Sequence, residues 1–268
     1  MAKGAVLNRR PTKERLLAEC GNRHVSYDFF RGIGKHAAGS EFLVVMLHGW
    51  LGSETLNYAA EEIAWHGHDV AVPIHDHSFH VRTMLRPNHR RSQDAHVVTK
   101  HASVKTGKNQ VVIIDHSNGN QDALHMVQHA STHNARYHVH AVGAVAGVGM
   151  NGRVVSPLAV ISESLEHAQL LVRHPRQELN VLGRSALNYL RNPFLAAQEG
   201  IVAATTNCRE GYSELLKSSV VDTVLEVYLD QDHLIPPPEG RGIILPGSHM
   251  TPVVEPEVMT YVVTKLAS

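Results

Sequence analysis

Short apolar runs recur along the chain, and several of them are followed by a polar turn and a helical pattern. Runs of this length that are rich in β-branched residues predict strands buried on both faces of a sheet. They lie at 41–47, 69–74, 111–114, 137–148, 222–229 and 242–245. Helical spacing of apolar residues appears at 55–65, 92–105 and 256–266, and directly after the run at 111–114. This alternation predicts an α/β fold with a mostly parallel central sheet flanked by helices.

Two parts of the chain are less regular. The segment before residue 41 begins with a short helical pattern, continues with a predicted strand over 24–30, and ends in the turn-rich GIGKHAAGS. Residues 84–91 are basic and indicate a loop. Ser92 follows them and is a typical N-cap, so a helix is expected to begin there and to end before Gly107.

Composition narrows the class of protein. The 25 Lys and Arg balance the 25 Asp and Glu, which does not favour a nucleic-acid or membrane surface. The 21 histidines would make the molecule cationic as the pH falls through their ordinary pKa range. Cys20 and Cys208 form no CxxC pair, and two free thiols are expected. The alternative is a single disulfide between them. No stretch has the apolar length of a signal peptide or a membrane span, so a cytoplasmic protein is expected.

The segment VVIIDHSNGNQDALHMV at 111–127 combines an apolar strand, a polar turn and an amphipathic helix. Ser117 lies in the turn, and Gly119 follows two residues later. The segment resembles the nucleophile elbow G-x-S-x-G of α/β-hydrolases, in which a strained turn exposes the serine hydroxyl. Asp115 replaces the first glycine of that motif, and Asn120 stands where a small residue would pack more easily.

The end of the run at 41–47 carries a second similarity. His48, Gly49 and Trp50 resemble the H-G-x sequence that α/β-hydrolases place after their third strand. The resemblance implies that the backbone N–H groups of Trp50 and Asn118 form an oxyanion hole. The alternative is that Gly49 and Gly52 only make a strand-to-helix turn.

Two further motifs follow the last predicted strands. Asp232, in DQDHLIP, resembles the acid loop of the family, and His249, in PGSHM, occupies the place of its catalytic histidine. The chain order Ser117, Asp232, His249 is the order of the α/β-hydrolase triad. Each of these residues follows a predicted strand, and functional residues gather at such strand ends in open α/β sheets.

The resemblance therefore implies one α/β-hydrolase domain over 1–268, with a core at about 1–150 and 193–268. A helical cap insertion is expected at about 151–192, where the pattern changes to helical segments of mixed charge. The implied activity is that of a serine hydrolase, which cleaves a carboxylic ester or related acyl bond through an acyl-enzyme. Its partner would be a small ester-like molecule, and neither a metal nor an organic cofactor is needed. The sequence does not separate esters from thioesters, lactones or C–C bonds, and it leaves the oligomeric state open.

Two alternatives remain. Asp115 and Asn120 fit a catalytically degenerate member of the family that serves as a binding protein, because Asp115 could crowd the turn or raise the pKa of His249. The run HDHSFH at 75–80 resembles the HxHxDH zinc-binding run of metallo-β-lactamase-type hydrolases. Phe79 stands where that family has an aspartate, which breaks the ligand set of one metal.

Overall fold

The structure is a computed structural model that describes residues 10–20, 23–33, 40–49, 53–74, 87–132, 136–147, 172–173, 216–217 and 221–267. Within these residues, eight strands form one sheet in the order β1-β2-β4-β3-β5-β6-β7-β8. The strands are β1 (Lys13–Cys20), β2 (Arg23–Phe30), β3 (Phe42–Leu47), β4 (Asp69–Pro73), β5 (Gln110–His116), β6 (His138–Val145), β7 (Thr223–Leu229) and β8 (Ile243–Leu245).

Helices cover both faces of this sheet. They are α1 (Asn57–Trp65), which follows a 3₁₀ turn at Ser53–Leu56, α2 (Pro87–Thr106), α3 (Gly119–Thr132), α4 (Thr251–Val254) and α5 (Glu257–Leu266). Residues of α2 and α3 belong to the hydrophobic core on one face, and residues of α1, α4 and α5 belong to the core on the other. None of the helices in the described part of the chain is both long and apolar enough to cross a bilayer.

The predicted sheet class is confirmed. β3 to β8 pair in parallel, whereas β2 is antiparallel to both β1 and β4. Strands β3, β4 and β5 are almost entirely buried, which explains their continuous apolar sequences. The predicted cap at 151–192 lies outside the described residues, apart from 172–173, so the cap and the domain limits stay predictions.

The helical pattern expected at the start of the chain was wrong, because residues 13–20 form strand β1. This strand pairs with β2 along its whole length. Lys13 and Arg15 both bind the buried carboxylate of Asp28 on β2, at 2.7 and 2.9 Å. Ala18 is buried, whereas the adjacent Leu17 is about half exposed, as expected for a strand with one covered face. Pairing with β2 therefore overrides the local helical pattern.

The loop expected at 84–91 was partly wrong, because α2 begins at Pro87. Ser92 is consequently not an N-cap but a buried residue inside the helix. Proline suits the first helical turn, where its fixed φ is already helical and its missing N–H would have no intrahelical partner. The earlier start places Arg91 on the helix, where it takes part in the site described below.

Candidate active site

Ser117 occupies a sharp turn between β5 and α3. Its φ is 56°, in the left-handed region that non-glycine residues rarely adopt. Its backbone N–H donates to the carbonyl of Val145 on β6 at 3.2 Å, which anchors the strained turn to the neighbouring strand. Strain of this kind costs of the order of 1–3 kcal/mol and persists where surrounding structure holds the backbone. The turn brings the serine to the carboxyl edge of the sheet.

Two glycines make room for this turn. A Cβ on Gly119 would overlap the backbone carbonyl of Leu47 at the end of β3. A Cβ on Gly49 would lie 2.6 Å from the Cβ of Ser117. Gly119 and Gly49 are therefore required for the same steric reason. The turn approaches the end of β3 so closely that neither position has room for a Cβ.

Ser117, His249 and Asp232 form a continuous chain of hydrogen bonds. Asp232 follows β7, and His249 follows β8, so that all three residues meet at the carboxyl edge of the sheet. Nδ1 of His249 lies 2.9 Å from Oδ2 of Asp232, and Nε2 lies 2.9 Å from Oγ of Ser117. A carboxylate accepts hydrogen bonds, so Nδ1 carries the proton and Nε2 accepts from the hydroxyl of Ser117. The arrangement can pass a proton from Ser117 to His249.

The second oxygen of Asp232 is also bound. Oδ1 accepts the backbone N–H groups of Leu234 at 2.9 Å and Ile235 at 2.8 Å. Burial raises the pKa of Asp232, but the nearby His249, its hydrogen bond to the carboxylate and the N–H of Ile235 outweigh burial and hold the pKa below its usual value. Asp232 is therefore ionised at neutral pH and can stabilise a positive charge on His249.

His116 is a site residue that the sequence analysis missed. Its Nε2–H donates to the backbone carbonyl of His249 at 2.8 Å, and the two rings lie 5.0 Å apart. Burial, together with the nearby His249, lowers the pKa of His116 to about 3, so the ring is neutral at ordinary pH. The only available signal was its place beside Ser117, where the elbow motif allows any residue.

Arg91 was missed as well. One guanidinium nitrogen, Nη2, donates to the backbone carbonyl of His48 at 2.6 Å and lies 2.7 Å from Oδ2 of Asp122 on α3. Burial raises the pKa of Asp122 to about 7, although Arg91 acts in the opposite direction. Arg91 therefore connects the end of β3 to the helix that follows Ser117.

Asp115, which stands in place of the elbow glycine, lies on the opposite face of the sheet from the contact between His116 and His249. Successive residues of a strand point to opposite faces, and His116 is the next residue along β5. The Cα partners of Asp115 are Leu47 and Ala144, which belong to the core beneath α2 and α3. Its fully buried side chain therefore starts on that face, and the structure does not favour the expectation that it is directed at His249.

The remaining predicted site residues differ in what the structure describes. Asn118 is buried beside Ser117 at the start of α3, and its carbonyl accepts the N–H of Gln121. Trp50, the other predicted oxyanion donor, lies outside the described residues, as does the run HDHSFH at 75–80. In the described part of the chain, no group of three or more His, Cys, Asp or Glu could hold a metal ion.

The sequence matches no protein-family model and no curated protein, but solved structures resemble the fold. The hydrolase of 2-hydroxy-6-oxo-6-phenylhexa-2,4-dienoate from Rhodococcus sp. strain RHA1 has a TM-score of 0.60 at 14% identity, over 95% of this chain and 99% of that one. A thioesterase domain from the curacin biosynthetic pathway has a TM-score of 0.56 at 16% identity, over 94% and 99%. A thermophilic esterase from Thermogutta terrifontis has a TM-score of 0.52 at 17% identity, over 96% and 100%.

Likeness at such low identity concerns the fold, and it extends over nearly the whole of both chains. It agrees with the mostly parallel sheet flanked by helices that the structure shows. The protein has the α/β-hydrolase fold.

Proposed function

We propose that the protein is a serine hydrolase that cleaves a carboxylic ester, or a related acyl bond, through an acyl-enzyme. The observation that carries this proposal is the hydrogen-bonded chain from Ser117 through His249 to Asp232, with both contacts at 2.9 Å. Nucleophile and base lie within hydrogen-bonding reach, and the base is oriented by a carboxylate on its other side. The strained backbone of Ser117 and the buried carboxylate of Asp232 support the same assignment.

In the acylation step, Nε2 of His249 takes the proton of Ser117 while Oγ attacks the carbonyl carbon. The tetrahedral intermediate then expels the alcohol, which receives that proton from His249 as the C–O bond breaks. In the second step, His249 takes a proton from water, and the hydroxide attacks the acyl carbon. Collapse of this intermediate releases the acid and returns the proton to Oγ of Ser117. No cofactor takes part in either step.

The developing oxyanion would be held by the backbone N–H groups of Asn118 and Trp50. Asn118 follows Ser117 at the N-terminal end of α3, where backbone N–H groups and the helix dipole favour a negative charge. Each such donor typically lowers the barrier by about 3 kcal/mol. Arg91 fixes the carbonyl of His48, two residues before Trp50 in the sequence.

The solved structures of similar fold give limited further support. The three that are compared above are described as a dienoate hydrolase, a thioesterase domain and an esterase. They share hydrolysis but differ in the bond that is cleaved, so they favour the reaction class and leave the substrate open. Asp115 in place of the elbow glycine favours one alternative, a binding protein that has kept the fold and lost the activity.

The test is hydrolysis of short-chain p-nitrophenyl esters by the wild-type protein, by Ser117→Ala and by Ser131→Ala. Ser131 is an exposed serine near the end of α3, and its change controls for loss of a hydroxyl elsewhere. We expect Ser117→Ala to lower kcat at least about a thousand-fold, and Ser131→Ala to keep the wild-type rate.

A parallel series with EDTA distinguishes the serine hydrolase from the alternative of a metallohydrolase, because the activity of a metallohydrolase would be lost on chelation. If Ser117→Ala keeps the wild-type rate without EDTA, Ser117 is not the nucleophile. If no acyl compound is turned over by the wild-type protein, the binding protein becomes the better assignment.

A further inference from the structure

His249 lies on a short connection between β8 and α4, and β8 has only three residues. Several contacts attach this connection to the neighbouring acid loop. The N–H of Gln231 donates to the carbonyl of Gly247 at 2.9 Å, and the N–H of Gly247 donates to Oδ1 of Asp230 at 2.8 Å. These bonds fix His249 relative to the strand that precedes Asp232. Neither of these two bonds reaches β5, the strand that precedes Ser117.

The hydrogen bond from His116 links the connection to the strand of the nucleophile. His116 is the last residue of β5, directly before Ser117, and its Nε2–H reaches the carbonyl of His249 at 2.8 Å. The two residues are 133 positions apart in the sequence. The ring that makes this bond is almost completely buried, so water does not replace it as a donor to the carbonyl.

The chemical character of this donor matters. His249 becomes positively charged when it takes the proton of Ser117, and its ring is 5.0 Å from that of His116. A cationic side chain at this place would oppose that charge, because buried like charges repel strongly. A neutral imidazole donates the same hydrogen bond without adding a charge, and burial keeps His116 neutral.

We propose that His116 is a positioning residue that holds the backbone of His249 at hydrogen-bonding distance from Ser117. The inference rests on the proposed function, and it adds a requirement that is absent from the elbow motif. The residue before Ser117 must present a neutral N–H donor to the connection that carries His249. It acts through His249 and does not touch the substrate.

The test compares His116→Gln with His116→Leu, and uses His66→Leu as a control. The amide nitrogen of glutamine lies as many bonds from the backbone as Nε2 of histidine and can donate to the same carbonyl. Leucine fills similar space without a donor. His66 is a half-exposed histidine that follows α1, remote in sequence from the site and paired with Glu62.

We expect His116→Leu to lower kcat for ester hydrolysis by a factor of about ten to a hundred, with KM changed less than about twofold. His116→Gln should recover kcat to within about threefold of the wild type, and His66→Leu should have no effect. Equal losses in the Gln and Leu variants would show that ring packing matters and the donor does not. An unchanged kcat in His116→Leu would overturn the proposal.

A crystal structure of His116→Leu supplies a readout that does not depend on activity. Separation of Nε2 of His249 from Oγ of Ser117 beyond hydrogen-bonding distance is the expected result. Retention of the wild-type distance of 2.9 Å would overturn the positioning role even if no ester is hydrolysed. If the wild-type protein has no activity, the proposed function is refuted. The distance in the crystal structure then still tests the positioning role of His116.

Discussion

At the scale of single residues, the turn at Ser117 depends on two neighbouring residues that have no side chain. Gly49 and Gly119 flank Ser117 on two sides, and a Cβ on either would overlap the turn or the end of β3. The backbone of Ser117 is held in the left-handed region between them. The position of its hydroxyl is therefore set by packing against β3 as much as by the turn itself.

Gly119→Ala should lower both activity and stability. Its methyl group would meet the backbone carbonyl of Leu47, which cannot move as a side chain can, so a loss of about 1–3 kcal/mol is expected. We expect ester hydrolysis to fall at least about tenfold, because the turn must shift. Urea unfolding and kcat measure the two effects.

The matched control is Gly107→Ala. Gly107 has a positive φ of 73° at the end of α2, and nothing lies within 4 Å of an added Cβ. This change should cost about 1 kcal/mol of stability from the backbone conformation alone and leave kcat unaltered. If Gly119→Ala behaves like Gly107→Ala, close packing does not define the turn.

Residues that follow predicted strands could be located from sequence, whereas their supporting residues could not. Ser117, Asp232 and His249 each follow an apolar run, and their chain order resembles that of a known family. His116 and Arg91 act through backbone carbonyls that are distant in sequence. Nothing in the local pattern specifies such a partner, because a carbonyl accepts from any donor that the fold brings near.

At the scale of elements, α2 and α3 are joined by a buried ion pair. Arg91 lies in the second turn of α2, and Asp122 lies in the first turn of α3 with its side chain fully buried. The same guanidinium group binds the carbonyl at the end of β3. One side chain thus connects the end of β3, α2 and α3.

Arg91→Met should destabilise the protein by about 1–2 kcal/mol, because Asp122, whose pKa is already about 7, takes up a proton without its ionic partner, and the carbonyl of His48 loses its donor. The double change Arg91→Met with Asp122→Leu should recover a large part of that loss, since it removes the buried carboxyl group that must otherwise take up a proton. Urea unfolding near pH 7.5 measures both. A loss above about 3 kcal/mol in Arg91→Met would contradict the raised pKa, because it would show that Asp122 stays ionised without its partner.

The two elements that sequence reasoning misjudged lie where tertiary contacts outweigh local preference. KERLLAEC has the composition of a helix, yet β2 offers a continuous partner and Asp28 binds two of its basic side chains. The start of α2 was not predicted, because its residues are basic and polar and lack the helical spacing of apolar residues. Buried parallel strands were easier to predict, because their apolar runs follow directly from burial on both faces.

At the scale of the whole molecule, burial of a neutral histidine links folding to pH. The pKa of His116 is about 3 in the folded protein and near 6.5 when the residue is exposed, so the unfolded chain binds more protons between these values. Stability contributed by His116 is fully present above about pH 6.5. It falls as the pH is lowered toward about 3, by up to about 1.4 kcal/mol per pH unit.

His116→Gln should therefore make stability less sensitive to acid. The free energy of unfolding of wild type and variant, measured in urea at pH 7.5 and pH 5, gives the difference directly. We expect the wild type to lose about 1–2 kcal/mol more than the variant over this interval. Equal losses would mean that His116 is protonated in the folded protein, which would contradict its burial.

The sequence predicts that the sheet is mostly parallel, but it does not predict the order of all its strands. Its parallel part followed from buried runs alternating with helices, whereas the antiparallel placement of β1 and β2 beside β4 had no signal in the sequence. The three solved structures compared above share only 14–17% of their residues with this chain over nearly its whole length. The arrangement of strands therefore tolerates wide replacement of side chains.

The distance in sequence between Ser117 and His249, 132 positions, bears on when the protein can become active. Chains are synthesised from the N-terminus, and the early part emerges from the ribosome first. In a nascent chain, Ser117 is translated before β6, β7 and β8, and therefore well before His249, its proposed base. On the proposed function, an unfinished chain would lack its base, and the appearance of ester hydrolysis during synthesis would report when the residues after β8 join the site.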